Sequence, residues 1–191
     1  VTTLAVSDPA EALALRCAGF TDLDILLLAP VADGELLDAL LDAGVILTVS
    51  GPACARFYAQ RQGERPARVH VAGMGRFGTR WTDTEQLLEV YRTPGLSFEG
   101  IFSHFAASFE AGSAQTMAQL ERFLSAVSAL EKQGVQAGVR HIANSCAALR
   151  FPETRLDAVR VGSALVGRLP VPVPVELKRV GVFKAGVVDR R

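Results

Sequence analysis

Thr3-Leu4-Ala5-Val6, followed one residue later by Asp8-Pro9-Ala10-Glu11, is the stretch that decides the fold. The first four residues read as a short strand. The next four read as a helix start, with Asp as the cap, Pro in the first turn and Glu three residues beyond the cap. A strand passing at once into a capped helix is one strand–helix unit, and the rest of the chain repeats it. The first helix ends at Gly19, in the usual C-terminal manner. Ile25–Leu28 is an unbroken apolar run, as expected of a strand covered on both faces.

Working outward, a helix over Glu35–Ala43 stops at Gly44, and Val45–Val49 is the third strand. A helix over Ala53–Gln62 leads into a strand at Arg68–Val71. Thr82-Asp83-Thr84-Glu85 reads as a capping box opening a helix towards Arg92, with Pro94 marking its exit. Phe98–Phe102 is the fifth strand. Ser113–Gln133 is the longest helix, carrying Leu120, Phe123, Leu124, Val127 and Leu130 at helical spacing. Val139–Ile142 and Ala158–Val161 bring the count to seven strands. Such alternation predicts an all-parallel α/β fold. A closed (β/α)8 barrel of the TIM type needs eight strands, so the pattern predicts a barrel lacking its first strand, in a chain that starts downstream of its natural beginning. A doubly wound open sheet is the alternative, but no Gly-rich fingerprint follows the first strand.

After Arg168 the texture changes. Pro170, Pro172 and Pro174 alternate with valines, which predicts a stiff, extended connector. Val180–Val188 then reads as the opening strands of another unit. The expected organisation is a barrel domain over 1–169, followed over 170–191 by a linker and the first strands of a β-rich C-terminal domain.

The charges balance, with 20 Lys and Arg against 20 Asp and Glu, and no basic block is present. That argues against a nucleic-acid surface, which needs clustered cations. No apolar run is long enough to cross a bilayer, and the first residues carry no secretion signal. Cys17, Cys54 and Cys146 are scattered and odd in number, pointing to a reducing compartment rather than to disulfides or zinc. A cytoplasmic location is expected. Cys146, beside Ser145, reads either as a reactive thiol or as a small packing residue.

Four signatures fall where strands end: Gly73-Met74-Gly75-Arg76, Ser103-His104-Phe105, His141-Ile142-Ala143-Asn144-Ser145 and Val159-Arg160-Val161-Gly162. In a strand–helix barrel that rim gathers the catalytic groups. The glycines allow close backbone approach to a ligand, although a lone Gly-x-Gly is more often a flexible loop with an exposed Arg. His104 follows an apolar strand, where a satisfied core histidine is the plain alternative. Ser145 at a helix start suits a phosphate, or is a simple N-cap. Arg160 at a strand end must find an acceptor, whether a ring nitrogen, a phosphate or a carboxylate such as Asp157. No acid or thiol joins the histidines at ligand spacing, so no metal is expected. The set suits a phosphorylated aromatic cofactor.

In this order and spacing, Gly73-Met74-Gly75-Arg76-Phe77-Gly78, Ser103-His104-Phe105-Ala106, Ala143-Asn144-Ser145 and Val159-Arg160-Val161-Gly162 resemble the alanine racemase family, fold type III enzymes that use pyridoxal 5′-phosphate. The resemblance spans nearly the whole chain. It implies that Arg160 faces the cofactor's pyridine nitrogen, that His141 fixes Arg160 and that His104 packs beside the ring. It further implies that Ser145, Gly162 and the Ser163 N–H hold the phosphate, that Asn144 also binds the cofactor, and that Arg76 lies near the phenolic oxygen and the substrate carboxylate. The implied activity is interconversion of L- and D-alanine for cell-wall precursors by two bases, in a homodimer whose active site is shared between subunits. Racemisation of serine, ornithine or lysine, or non-catalytic binding of the cofactor, are the other readings. The family takes one base, the cofactor-bearing lysine, from its first barrel strand and the other, a tyrosine, from the partner's C-terminal domain. Lys132, Lys178 and Lys184 do not stand at that position, and Tyr58 and Tyr91 sit in predicted helices. The 191-residue chain alone is therefore expected to be inactive. The family also reads Val-Asp-Thr before Gly-Met-Gly-Arg, whereas Val71-Ala72 stand here. A short stretch is expected to be lacking at that junction.

Overall fold

The computed structural model describes residues 1–73, 77–110, 112, 114–182, 184 and 186. The elements run β1 (Thr3–Val6), α1 (Pro9–Cys17), β2 (Asp24–Leu27), α2 (Gly34–Asp42), β3 (Leu47–Val49), α3 (Pro52–Arg61) and β4 (Ala67–Ala72). Then follow α4 (Thr84–Tyr91), β5 (Leu96–Phe102), α5 (Ala114–Glu131), β6 (Val139–Asn144), α6 (Ser145–Arg150), a 3-10 turn (Pro152–Thr154) and β7 (Ala158–Arg160). Every ladder is parallel and joins consecutive strands, β1 to β2 and then β3 through β7. A parallel bridge between Leu26 and Ile46 carries the pairing across from β2 to β3. A doubly wound sheet reverses its strand order at a switch point. This one never does, and the order is that of a (β/α)8 barrel, seven strands of which are here. Among the described residues no pairing joins β7 back to β1.

The local chemistry explains the elements. Asp8 Oδ1 accepts from the Ala10 N–H and Glu11 reaches back to the Asp8 N–H, a complete capping box. Asp33 caps α2 through the Leu36 N–H. The cap of α4 differs from expectation: Asp83, not Thr82, accepts from the Gln86 N–H, so the helix starts at Thr84. A carboxylate is the better acceptor at the positive end of a helix.

Period-two alternation divides the buried residues into two layers. Val49, Val69, Val71, Ile101 and Ile142 pack against Leu37, Leu40, Ala55, Leu88, Val127 and Leu130 of the helices. Each such side chain contributes about 1.5–3 kcal/mol on burial. Leu26, Ile46, Thr48, His70, Phe102 and His141 are also buried, but they stand outside that cluster, on the strands' other face. There Arg68 of β4 reaches over β3 to Asp24 of β2 (2.8 Å) and forks onto Glu99 of β5 (2.6 and 2.9 Å). Side chains two strands apart meet only on the concave side of a curved sheet, so this face is the barrel lumen. β4 pairs Val69 with Phe98 and then His70 with Gly100, leaving Glu99 as a bulge residue.

Beyond β7 the chain makes a tight turn, with Gly167 at φ +70° and Arg168 N–H donating to the Ser163 carbonyl. Of the predicted run Val180–Val188, the described residues 180–182, 184 and 186 are not in a strand, and the others lie outside the described set. Val180 N–H reaches only the Val166 carbonyl, at 3.5 Å. Among the described residues no helix is long and apolar enough to cross a membrane.

Candidate active site

The C-terminal ends of β5, β6 and β7 converge on a cavity of about 350 Å³. His104 enters it from the residues after β5, Asn144 and Ser145 from the junction of β6 with α6, and Arg160, Gly162 and Ser163 from β7 and its exit turn. Ser108, Phe109, Cys146, Leu169 and Pro170 complete the wall. Six of the expected site residues therefore share one cavity, with His141 directly behind it. Arg76 lies outside the described residues, as do Met74 and Gly75.

Arg160 is the centre of the arrangement. One guanidinium nitrogen donates to His141 Nδ1 (2.7 Å) and to the His141 carbonyl (3.2 Å). The other donates to the Ser103 carbonyl (2.7 Å) and lies 3.3 Å from His104 Nδ1. The Phe102 ring lies under the guanidinium, 5.3 Å away. The backbone carbonyls, the Phe102 ring and the His141 imidazole are all neutral. Asp157, the carboxylate that offered a structural explanation for Arg160, instead forks onto Arg140 (2.7 and 3.0 Å). Burial without a counter-charge pulls the Arg160 pKa down to about 10.

His141 hands the arrangement deeper into the barrel. Its Nε2 is 2.9 Å from Nδ1 of His70, and its ring stacks on Phe102. A guanidinium can only donate, so His141 Nδ1 must accept. Neutral His141 then carries its proton on Nε2 and donates to His70 Nδ1, which places the His70 proton on Nε2. Both rings are held neutral. Burial, reinforced by Arg160 and then His70, lowers His141 to about 2. Burial lowers His70 to about 4, with Arg68 adding to the effect and Glu99 opposing it. Sequence reading took His141 and His104 for the site and missed His70, although its alternation with Arg68 on one strand face was a usable signal.

Gly100 makes room for the pair. A Cβ there would stand 2.5 Å from His70 Cε1 and 2.7 Å from the Val139 carbonyl oxygen. Gly100→Ala is expected to destabilise the chain by about 1–3 kcal/mol through overpacking, read as a fall in the urea midpoint at unchanged m-value. An unchanged midpoint would show that His70 does not occupy that space.

The other end of the cavity is built from donors. Asn144, not Ser145, is the N-cap of α6: its Oδ1 accepts from the Ala147 N–H and the Ser108 hydroxyl, both at 3.0 Å. Only its amide N–H groups remain for a ligand. Ser145 Oγ accepts from the Gly162 N–H (3.0 Å) and the Ala164 N–H (3.3 Å). With both lone pairs engaged, the hydroxyl can only donate outward. The Ser163 N–H between those two donors has no acceptor among the described residues. Cys146 is buried and its thiol donates to the Ser108 carbonyl (3.1 Å), so the packing reading of this residue holds. Tyr58 is fully buried, its hydroxyl donating to the Thr48 carbonyl and accepting from the Val31 N–H. Burial raises its pKa, and burial likewise raises that of Tyr91. Both are packing residues.

Among the described residues no carboxylate lines the cavity. It offers an uncompensated cation at one end, hydroxyl and backbone donors at the other, and the apolar edges of Phe109, Leu169 and Pro170 between. That chemistry fits a ligand with an anionic phosphate, a flat apolar body and a ring acceptor, and pyridoxal 5′-phosphate has all three.

Comparison with known proteins gives the family. The profile of the alanine racemase N-terminal domain matches residues 1–170. The chain is 41% identical over 178 residues to the alanine racemase of Desulforamulus reducens, an alignment covering 88% of this chain and 47% of that protein. It is 38% identical over 180 residues to the enzyme of Thermobifida fusca, covering 90% and 48%. Among solved structures, the alanine racemase of Clostridium difficile 630 in complex with cycloserine superposes with a TM-score of 0.87 at 29% identity, over 94% of this chain and 52% of that one. The Bacillus anthracis enzyme with bound L-Ala-P gives 0.84 at 31% identity, over 94% and 49%. The chain thus spans about half the length of the relatives it matches. With its parallel strand order and the Arg160 cavity, the chain belongs to the alanine racemase N-terminal domain family.

Proposed function

We propose that the protein is a pyridoxal 5′-phosphate-dependent alanine racemase that interconverts L- and D-alanine and so supplies D-alanine for the cell wall. The observation that carries this reading is Arg160: a largely buried guanidinium that meets no carboxylate among the described residues, facing the same cavity as the donor end at Ser145 and Ser163. When bound, the cofactor supplies an electron-accepting ring that makes the substrate's Cα–H acidic. Arg160 would donate to the ring nitrogen and, keeping its own proton at neutral pH, would leave that nitrogen unprotonated and the electron demand moderate. That favours simple proton exchange at Cα over the side reactions of a stronger sink. His141, with its tautomer fixed by Arg160 and His70, holds the guanidinium plane. Ser145 and the Ser163 N–H would anchor the phosphate, and His104 would close the side of the ring.

In this reading Arg76 meets the substrate carboxylate, residues 1–169 are the cofactor-binding domain, and 170–191 lead into a C-terminal β domain. The functional unit is a cytoplasmic homodimer, in which a lysine and the partner's tyrosine act as the two bases. Conversion of L-alanine to D-alanine by the full-length protein, assayed beside serine, ornithine and lysine, tests the substrate. Binding without turnover of any of them would leave only the cofactor-binding role. For the site itself, equilibrium dialysis should show that pyridoxal 5′-phosphate binds and pyridoxal, lacking the phosphate, does not. Ser145→Ala should weaken binding about tenfold, the worth of one hydrogen bond to a charged group. Equal affinity for the two vitamers would remove the phosphate assignment.

A further inference from the structure

The helix α6 begins at the donor end of the cavity, and its last residue, Arg150, reaches the loop that follows β5. One guanidinium nitrogen, Nη1, donates to the Ser108 carbonyl (2.7 Å) and to the Glu110 carbonyl (2.9 Å). These are the two residues that flank Phe109. The guanidinium carbon lies 4.9 Å from the centre of the Phe151 ring. Two further bonds tie the same loop to the start of α6. The Ser108 hydroxyl donates to Asn144 Oδ1 (3.0 Å), and the Cys146 thiol donates to the Ser108 carbonyl (3.1 Å). Arg150 itself does not line the cavity.

Within the loop, Glu110 N–H donates to the Ala107 carbonyl (3.1 Å), closing a turn with Ser108 and Phe109 at its centre. Such positions favour Gly, Asn, Asp and Ser, whose chemistry supports the backbone of a turn. Ser108 follows that rule and is 1% exposed, whereas Phe109 breaks it and is 51% exposed. The ring is no part of the hydrophobic core. It lines the cavity instead. A sequence departs from its local rules where a function requires the departure.

We infer that Arg150 is a positioning residue for cofactor binding, acting through Phe109. By holding both flanking carbonyls it fixes the turn, so that the Phe109 ring covers the flat apolar body of the bound ligand. That contact removes apolar surface of both partners from water, and a turn fixed beforehand loses little freedom on binding. The short helix α6 then serves both ends of one ligand, with Asn144 and Ser145 at the phosphate and Arg150 behind the ring wall. The inference rests on the reading that this cavity takes pyridoxal 5′-phosphate.

Equilibrium dialysis of the full-length protein against pyridoxine 5′-phosphate tests the inference, since that vitamer carries the ring and the phosphate but no aldehyde for covalent attachment. Phe109→Ala should weaken binding about tenfold through the lost apolar contact, and Phe109→Leu should restore most of it. Arg150→Met, which keeps the packing over Phe151, should weaken binding about threefold, the cost of ordering one loose side chain on binding. The double variant, Arg150→Met with Phe109→Ala, should bind no more weakly than Phe109→Ala alone, because Arg150 acts only through the ring. Inorganic phosphate, measured as a competitor, should keep the parent's inhibition constant in every variant. A general loss of structure would weaken both ligands, so a parallel fall for phosphate overturns the inference. Parent-like affinity in Arg150→Met, or effects that multiply in the double variant, overturns it too and leaves the cofactor reading standing. A parent that binds pyridoxine 5′-phosphate no better than inorganic phosphate removes the cofactor reading, and this inference with it.

Discussion

Arg160→Met is expected to abolish retention of pyridoxal 5′-phosphate while leaving folding stability within about 1 kcal/mol of the parent, because two opposing effects of similar size are removed together. Burial lowers the guanidinium pKa from 12.5 to about 10, which corresponds to a penalty of about 3 kcal/mol on the charged form. Against it stand hydrogen bonds to the Ser103 carbonyl, the His141 carbonyl and His141 Nδ1. Each contributes about 1 kcal/mol net. Methionine fills a similar volume without the charge. The protein thus carries a cation that does little for its own fold, and the benefit appears when a ring acceptor arrives. Urea midpoints and equilibrium dialysis on the same preparations check both halves. A variant that keeps the cofactor removes Arg160 from the site, and one that loses several kcal/mol shows that the guanidinium is structural. Arg160→Lys should recover little binding, since an ammonium cannot span the Ser103 carbonyl and His141 Nδ1 at once.

The second large effect is acid lability well above the carboxylate range. His70 and His141 both have folded pKa values below the ordinary 6.5, at about 4 and about 2. The unfolded chain therefore takes up protons first as pH falls. Stability is complete above pH 6.5 and declines below it, by about 1.4 kcal/mol per pH unit for each histidine until its folded pKa is reached. His70 is faced by Glu99, Arg68, Asp24 and Arg160, and His141 by Arg160 and His70, so no carboxylate stands close enough to rescue the second ring. Chemical denaturation at intervals between pH 7 and pH 4 should show a slope near twice that of a single histidine. His70→Gln should halve it. A flat profile down to pH 5 would mean that the pair is not buried as described. Asp157 acts in a lower window: Arg140 holds its carboxyl at about 2, and that contribution is lost only as pH falls below the usual carboxylate value.

Much of this was legible from residues with strong local rules. Asp8-Pro9-Ala10-Glu11 specified its helix to the residue, and the unbroken apolar runs specified parallel strands. The capping of α4 and α6 was displaced by one residue each, at Asp83 for Thr82 and Asn144 for Ser145. Neighbouring polar residues compete for one cap, and the winner depends on where the strand before it stops pairing. The resemblance assigned Arg160 and His141 to one another, and the structure places them in contact. It could not assign His70, which becomes a partner of His141 only when β4 and β6 curve towards each other across β5. The Glu99 bulge was equally hidden, since an unpaired residue is a property of two strands and not of either.

That bulge lets the lumen hold a continuous column of polar side chains: Asp24, Arg68 and Glu99 below, His70 and His141 in the middle, Arg160 at the mouth. The members form two bonded groups, Asp24–Arg68–Glu99 and His70–His141–Arg160, and a change within either leaves a neighbour without its donor or acceptor. Substitutions in this column should be strongly epistatic. A library mutated one position at a time and selected for cofactor retention would find it nearly immutable, whereas joint replacement of adjoining rungs would uncover alternatives that no single step can reach. The inner face of the barrel therefore evolves as one character, while the helix-facing layer, built from interchangeable aliphatic contacts, is free to drift residue by residue.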